Sequence, residues 1–226
     1  MLKIRPFLVL IHNDCFKRIK WLVFSDTILV TLTCIDDKDE PALQKGIDWL
    51  CFIPIMNALY CHLFDKGLPI RGAITFGKYL IINHCFAGRA ILDAYRVGQS
   101  LDLSAITFHQ NALAEIKKQM LDKDELLLNN YTVKYLTPLR QKVEEQQLLT
   151  PLRQKVEEQQ LLLPSLFGLR KINNSDVRQL IANSFQQHNK CITSKAVSKL
   201  DNTEHFFRFC QAYLHKCGND SDQPEL

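Results

Sequence analysis

The sequence predicts an α+β domain, because runs of strand length alternate irregularly with apolar residues at helical spacing. The chain has 226 residues, of which 46% are hydrophobic and 23% are charged. Such a chain is long enough to bury a substantial core, and this composition is typical of globular proteins. Strands and helices mix without strict βαβ alternation, which favours one sheet with helices on one face.

The first predicted element is a β-hairpin over residues 21–35. Its two halves are rich in β-branched and aromatic residues, and they are separated by Ser25 and Asp26, residue types that are common in tight turns. Apolar residues then recur at helical spacing over residues 42–64, and Gly67 is a typical residue at a helix end. A hairpin followed by a long helix is therefore expected.

The remaining core elements follow from the same two periodicities. In chain order they are strands at 70–76 and 79–82, a helix at 90–101, a strand at 105–108, a helix at 111–120 and a strand at 131–136. Residues 1–136 are thus expected to form the core domain.

A perfect tandem repeat follows this core. The thirteen residues LTPLRQKVEEQQL at 136–148 are repeated without a change at 149–161. Each copy has a Thr-Pro start and helix-forming residues after it, so residues 137–163 are predicted to be an inserted or lengthened helical segment. Two short copies do not make a solenoid, which needs at least three repeats of ~20 residues or more. Residues 164–226 are predicted to form helices that pack on the core.

Composition and charge exclude several classes of protein. The eight cysteines contain no C-x-x-C pair, which favours buried, reduced thiols over disulfides or a zinc site. No apolar stretch is expected to reach the ~20 residues of a membrane span, and no secretory leader pattern is present. The net charge of +4 is mild, and cations at 170–199 are spread without interleaved aromatics, which favours a solvated helix face over nucleic-acid binding. A cytoplasmic protein is expected.

Three short motifs carry a resemblance to a known family. They are Phe24-Ser25-Asp26 on the hairpin, Arg71-Gly72 within the strand at 70–76, and GRAILDAY at 88–95. In this order they resemble the catalytic core of class III nucleotidyl cyclases, in particular bacterial guanylate cyclase domain-containing proteins, which include pyrimidine cyclases. The resemblance implies a ferredoxin-like cyclase sheet, a homodimer, and conversion of a nucleoside triphosphate to a cyclic nucleotide with two Mg²⁺ or Mn²⁺ ions.

The resemblance also implies roles for individual residues. Asp26 falls at one of the family's two metal-binding aspartates, and Ser25 lies beside it in the nucleotide-binding turn. Arg71 has two open interpretations, a phosphate contact and a structural ion pair. Arg96 falls at the family's catalytic arginine and is expected to hold a phosphate, whereas Leu92 replaces its ribose-orienting asparagine.

The family's other metal-binding aspartate has no counterpart. The family places two helices between the first strand and the hairpin, but only 25 residues precede Asp26, and only 11 separate it from Asp14. One average helix already takes ~11 residues, so the sheet is expected to lack its first strand and to expose an edge that invites pairing. A truncated start and a decayed paralogue are both open as the cause.

Two functions therefore remain as expectations. One is a nucleotidyl cyclase-like protein with impaired turnover, because its metal site keeps one of two carboxylates. The alternative is a catalytically inactive dimerisation or regulatory module that keeps the cyclase fold. The base of the nucleotide is not predicted, since the position four residues before Asp26 is Leu22.

Overall fold

A computed structural model describes residues 15–34, 42–82, 85–119, 131–140, 156–164, 174–186 and 194–220. They form an α+β structure, which confirms the predicted fold class. The strands are β1 (Ile19–Phe24), β2 (Thr27–Leu32), β3 (Gly72–Ile74), β4 (Leu80–Ile82), β5 (Cys85–Ala87), β6 (Ile106–Phe108), β7 (Thr132–Pro138) and β8 (Val156–Leu162). The helices are α1 (Ala42–Asp65), α2 (Arg89–Ser100), α3 (Gln110–Gln119), α4 (Asn174–Gln186) and α5 (Ser194–Asp220).

The described strands form a central sheet and two hairpins. The central sheet has the order β3-β6-β8-β7, with β3 parallel to β6 and β8 antiparallel to both of its neighbours. The hairpin β1–β2 turns at Ser25 and Asp26 as predicted, and β4–β5 is a second hairpin. Of these strands, β5 is an addition that the sequence pattern does not predict.

The core lies where the central sheet meets the helices. Tyr60 and Phe64 of α1 are fully buried, and the ring of Phe64 stacks on Phe207 of α5 with centroids 5.0 Å apart. The Tyr60 hydroxyl donates a hydrogen bond of 2.8 Å to the carbonyl oxygen of Ser104. Buried residues of α4, such as Ile181, belong to the same core, so both C-terminal helices contribute to it.

One segment of α1, Gly46–Asp65, is long and apolar enough to cross a membrane by length and composition. The expectation that no stretch reaches this limit is therefore wrong. The apolar character has a structural reason, since Trp49, Tyr60 and Phe64 are buried in the core. Asp48, in the same segment, is ion-paired with Arg18.

The repeated segment differs most from its prediction. The first copy begins inside β7 at Leu136, and the second copy ends inside β8 at Leu161, while residues 141–155 lie outside the described residues. The helix predicted over 137–163 is therefore wrong for Val156–Leu162, which is a strand. Its position between β6 and β7 buries Leu161 and Leu162 completely. Such burial outweighs the helix propensity of Glu and Gln, which amounts to about a few tenths of a kcal/mol per residue at most.

Candidate functional site

A cleft of about 2150 Å³ opens between the β1–β2 hairpin and the central sheet. Its walls are β2, the middle of α1, the chain around β3, and the first turns of α2. The three family-like motifs all contribute to these walls. The cleft is therefore the candidate site.

Asp26 reaches the cleft from the tip of the hairpin. Phe24 pairs with Thr27 across a two-residue turn, and Ser25 adopts a left-handed φ of 51°, as tight hairpin turns require. The ring of Phe24 packs on Phe86 of β5 with centroids 4.6 Å apart, which fixes the tip. Both turn residues line the cleft and are exposed to it, with the Thr27 hydroxyl 3.4 Å from the Asp26 carboxylate.

Arg71 lines the same cleft but has its hydrogen bonds committed elsewhere. Its guanidinium donates to the carbonyl oxygens of Gln99 and Leu101, at 3.2 and 3.1 Å, and to the Gln99 side chain. These carbonyls belong to the end of α2, where helices have unsatisfied acceptors and favour a cation. The structure thus gives Arg71 a helix-capping position in the cleft wall, and its phosphate contact stays a prediction.

Electrostatics connects Arg71 to the hairpin. Burial lowers the pKa of Arg71, and the neighbouring charge of Arg140 acts in the same direction. The charges of Asp102 and Asp26 raise this pKa and partly offset the effect. The carboxylate of Asp26 is therefore within electrostatic range of Arg71.

Arg96 does not line the cleft. Its side chain is exposed on α2 and is not among the residues that line the cleft. Two turns earlier, Arg89 does line the cleft, and its Nε donates to both carboxylate oxygens of Asp93, at 2.9 and 3.0 Å. The structure therefore brings three of the four predicted site residues together.

Cations outnumber carboxylates in the cleft wall. The five cationic lining residues are Arg71, Lys78, Arg89, Arg140 and Lys199. The two acidic ones are Asp26 and Asp48, and both oxygens of Asp48 accept from the guanidinium of Arg18. Two of these cations are also ion-paired, Arg89 with Asp93 and Arg140 with Asp102, so the excess of positive charge in the wall is small. The remaining excess favours an anionic ligand over a cationic one.

The cleft does not fit a two-metal centre. Mg²⁺ prefers several hard oxygen ligands in near-octahedral geometry, and a pair of ions needs at least two free carboxylates. Within the described ranges, no group of three or more His, Cys, Asp or Glu residues comes together. Among the described lining residues, Asp26 is the carboxylate that remains once Asp48 is paired with Arg18.

Two glycines allow α2 to lie against this wall. Gly88 has a φ of 145°, and a Cβ there would lie 2.7 Å from the carbonyl oxygen of Lys78. A Cβ on Gly98 would lie 3.0 Å from the Cα of Gly72. The start of the helix therefore packs on the chain before β4, and its end packs directly on β3.

The strand edges at the cleft are open in the described part of the chain. There, β2 is paired with β1 alone and β3 with β6 alone. Thr31 of β2 lines the cleft, and its buried hydroxyl has no hydrogen-bond partner among the described residues. Whether the sheet lacks its first strand stays a prediction, because residues 1–14 lie outside the described ranges.

No protein-family model, curated protein or solved structure matches the chain.

Proposed function

We propose that this chain is a nucleotidyl cyclase-like domain that binds a nucleoside triphosphate and turns it over poorly. The observation that carries the proposal is the convergence of three family-like motifs on one cation-lined cleft. A triphosphate is a polyanion, and guanidinium and ammonium groups bind its oxygens through charge-assisted hydrogen bonds. The fold is proposed to be a ferredoxin-like cyclase sheet, in a cytoplasmic protein.

The roles follow from position in the cleft. Lys78 attracts the phosphates, and Ser25 offers a hydroxyl to the nucleotide beside Asp26. In a competent cyclase the ribose 3′-oxygen attacks the α-phosphorus and pyrophosphate leaves. Asp26 would contribute one ligand to a bound Mg²⁺ or Mn²⁺, which would supply charge neutralisation at the phosphates. Because the described cleft lining offers no second unpaired carboxylate, slow or absent turnover is expected, and a catalytic role for Arg96 stays a prediction.

The test combines binding and turnover. ATP, GTP, CTP and UTP are each supplied with Mn²⁺, and binding is measured by calorimetry and cyclic product by chromatography. We expect at least one triphosphate to bind, with little or no product. Lys78→Ala should weaken binding roughly tenfold, the effect of about one charge-assisted hydrogen bond.

Matched variants separate the outcomes. Asp26→Ala removes the carboxylate from the cleft, whereas Asp65→Ala removes an exposed carboxylate outside it. Product that disappears in Asp26→Ala alone would establish a cyclase and overturn the proposed impairment. Absence of binding by all four nucleotides would overturn the proposal as a whole.

A second candidate function is a dimerisation or regulatory module without turnover. It is favoured by exposed apolar side chains on the two hairpins. Trp21 and Val23 of β1 are 52% and 67% exposed, and Leu80 and Ile82 of β4 are 57% and 54% exposed. Contiguous exposed apolar surface marks interaction sites in soluble proteins. A homodimer is therefore proposed under either function.

A further inference from the structure

The tandem repeat gives the chain two copies of the same strand sequence. β8 has the sequence VEEQQLL at Val156–Leu162, and residues 143–149 have these seven residues in the same order. A sheet selects a strand by the side chains it presents to each face and by register. Within the strand itself, the sheet has no basis for choosing one copy over the other.

The length of the connection between β7 and the strand that pairs with it favours the first copy. β7 ends at Pro138 and β8 begins at Val156, so the connection has seventeen residues. Antiparallel neighbours are usually joined by two to five residues, and connections above ~12–15 residues are uncommon. The first copy of the seven-residue strand sequence begins at residue 143, after only the four residues LRQK at 139–142. A standard hairpin length thus leads directly into it.

We propose that residues 143–149 exchange with β8 in the central sheet, giving the folded chain two conformations. In the second conformation Leu148 takes the place of Leu161, which pairs with Val133 of β7 and Thr107 of β6. The carbonyl of residue 147 replaces that of Gln160 as acceptor for the Thr107 hydroxyl, a bond of 3.1 Å. Every strand contact of β8 has an identical replacement.

The residue that follows the strand sequence determines which of the two conformations is favoured. Leu163 is 1% exposed, whereas the first copy continues with Thr150. Two hydrogen bonds use the backbone of this residue. Leu163 N donates to the Tyr131 carbonyl, and the Asn57 side-chain amide donates to the Leu163 carbonyl. Leucine and threonine can both make these bonds, because only backbone atoms of this residue take part. Burying threonine in place of leucine disfavours the first copy by roughly thirtyfold.

Loop lengths act in the opposite direction. The exchange shortens the hairpin connection and lengthens the chain before α4, and loop closure depends only weakly on length. The two changes together favour the first copy by about threefold. The conformation with Val156–Leu162 in the sheet therefore predominates by about tenfold, and the other is a minor state.

The decisive experiment places a charge in one copy at a time. Leu161→Asp puts a carboxylate at a fully buried position of β8, and Leu148→Asp makes the same change in the first copy. If the copies exchange, Leu161→Asp remains folded and its unfolding equilibrium constant rises only about tenfold, the ratio of the two conformations. Leu148→Asp behaves as the unchanged chain, and the double variant does not fold. Near-ultraviolet circular dichroism and denaturant unfolding measure all three.

Two further variants keep the test decisive. Adding Thr150→Leu to Leu161→Asp restores leucine after the first copy and should recover the stability of the unchanged chain. Deleting residues 136–148 leaves a single copy behind a four-residue connection, and this chain should fold cooperatively. If either variant is as unfolded as the Leu148→Asp, Leu161→Asp double variant, the proposal is overturned. Rescue that requires high concentration and dimerisation would also overturn it, because the exchange would then occur between chains.

Discussion

Gly98 lies at the closest approach between α2 and β3. A methyl group at this position would be 3.0 Å from the Cα of Gly72, which is backbone and cannot rotate away. The helix is thereby held close enough for Arg71 to reach the carbonyl oxygens of Gln99 and Leu101. The absence of a side chain at Gly98 thus allows the end of α2 and the Arg71 guanidinium to lie together in the cleft wall.

Gly98→Ala is therefore expected to destabilise the fold. Overpacking costs typically 1–3 kcal/mol, and the gain of ~1 kcal/mol in helix propensity offsets part of it. We expect a net loss of about 1 kcal/mol in the free energy of unfolding, measured by denaturant titration. Arg96→Ala on the exposed face of α2 is the control, and it should change stability little. A Gly98→Ala chain as stable as the control would contradict the close packing.

Two buried acids predict the response of stability to alkaline pH. Burial, as the largest cause, raises the pKa of Tyr60 well above its ordinary value, and burial followed by the charge of Asp65 raises the pKa of Cys61 to about 12. The unfolded chain therefore loses these protons at lower pH than the folded chain. Their contribution to stability is fully present below about pH 9, and it is lost as pH rises from the unfolded-state pKa values to the folded-state ones.

The measurement is the free energy of unfolding from about pH 7 to 11. It should be flat at the lower end and decline above about pH 9. Tyr60→Phe should make the decline above about pH 10 shallower by as much as one proton per molecule, although it removes the hydrogen bond to Ser104 at all pH values. Tyr95→Phe, at an exposed tyrosine, is the matched control. Equal slopes in both variants would exclude Tyr60 as the source.

At the scale of elements, an ion pair joins the helical turn before β1 to α1. The Arg18 guanidinium donates to both oxygens of Asp48 and to the carbonyl oxygen of Thr33. The two side chains are only 15% and 3% exposed. This pair fixes the base of the hairpin on the long helix, so the Asp26 turn extends over the cleft from a fixed base.

Asp48→Asn keeps the shape of the side chain and leaves the Arg18 charge without its counterion. Breaking a buried pair in this way costs about 3 kcal/mol. Adding Arg18→Met should recover much of the loss, because an apolar side chain of similar volume carries no charge to desolvate. Urea unfolding of both single variants and the double variant completes the cycle. A zero coupling energy would show that the pair has no structural role.

For the whole molecule, the exposed apolar faces of the hairpins predict self-association. Val23→Lys, at the most exposed large apolar residue of β1, should shift a dimer to monomer in sedimentation velocity. Val197→Lys makes the same change at an exposed valine of α5, which is 46% exposed, and should leave the dimer intact. A monomer in the unchanged chain at all concentrations would contradict the proposed homodimer.

Local sequence patterns were sufficient to predict several secondary-structure elements. The Ser25-Asp26 turn follows from turn chemistry, and α1 and α2 follow from helical periodicity, because these signals are complete within each segment. Residues that are distant in the chain were not predictable in the same way. Lys199 of α5 and Arg140 after β7 reach the cleft wall only because the sheet brings their elements together.

The sequence by itself determined the α+β class, the hairpin that carries Asp26, and the identity of the two thirteen-residue copies. Tertiary structure alone decided that Arg71 caps α2, that Arg96 stays outside the cleft, and that Val156–Leu162 is a strand. The physical reason is the same in each case. Propensity and spacing act over a few residues, whereas burial between β6 and β7, or a free carbonyl at a helix end, exists only after distant segments have packed.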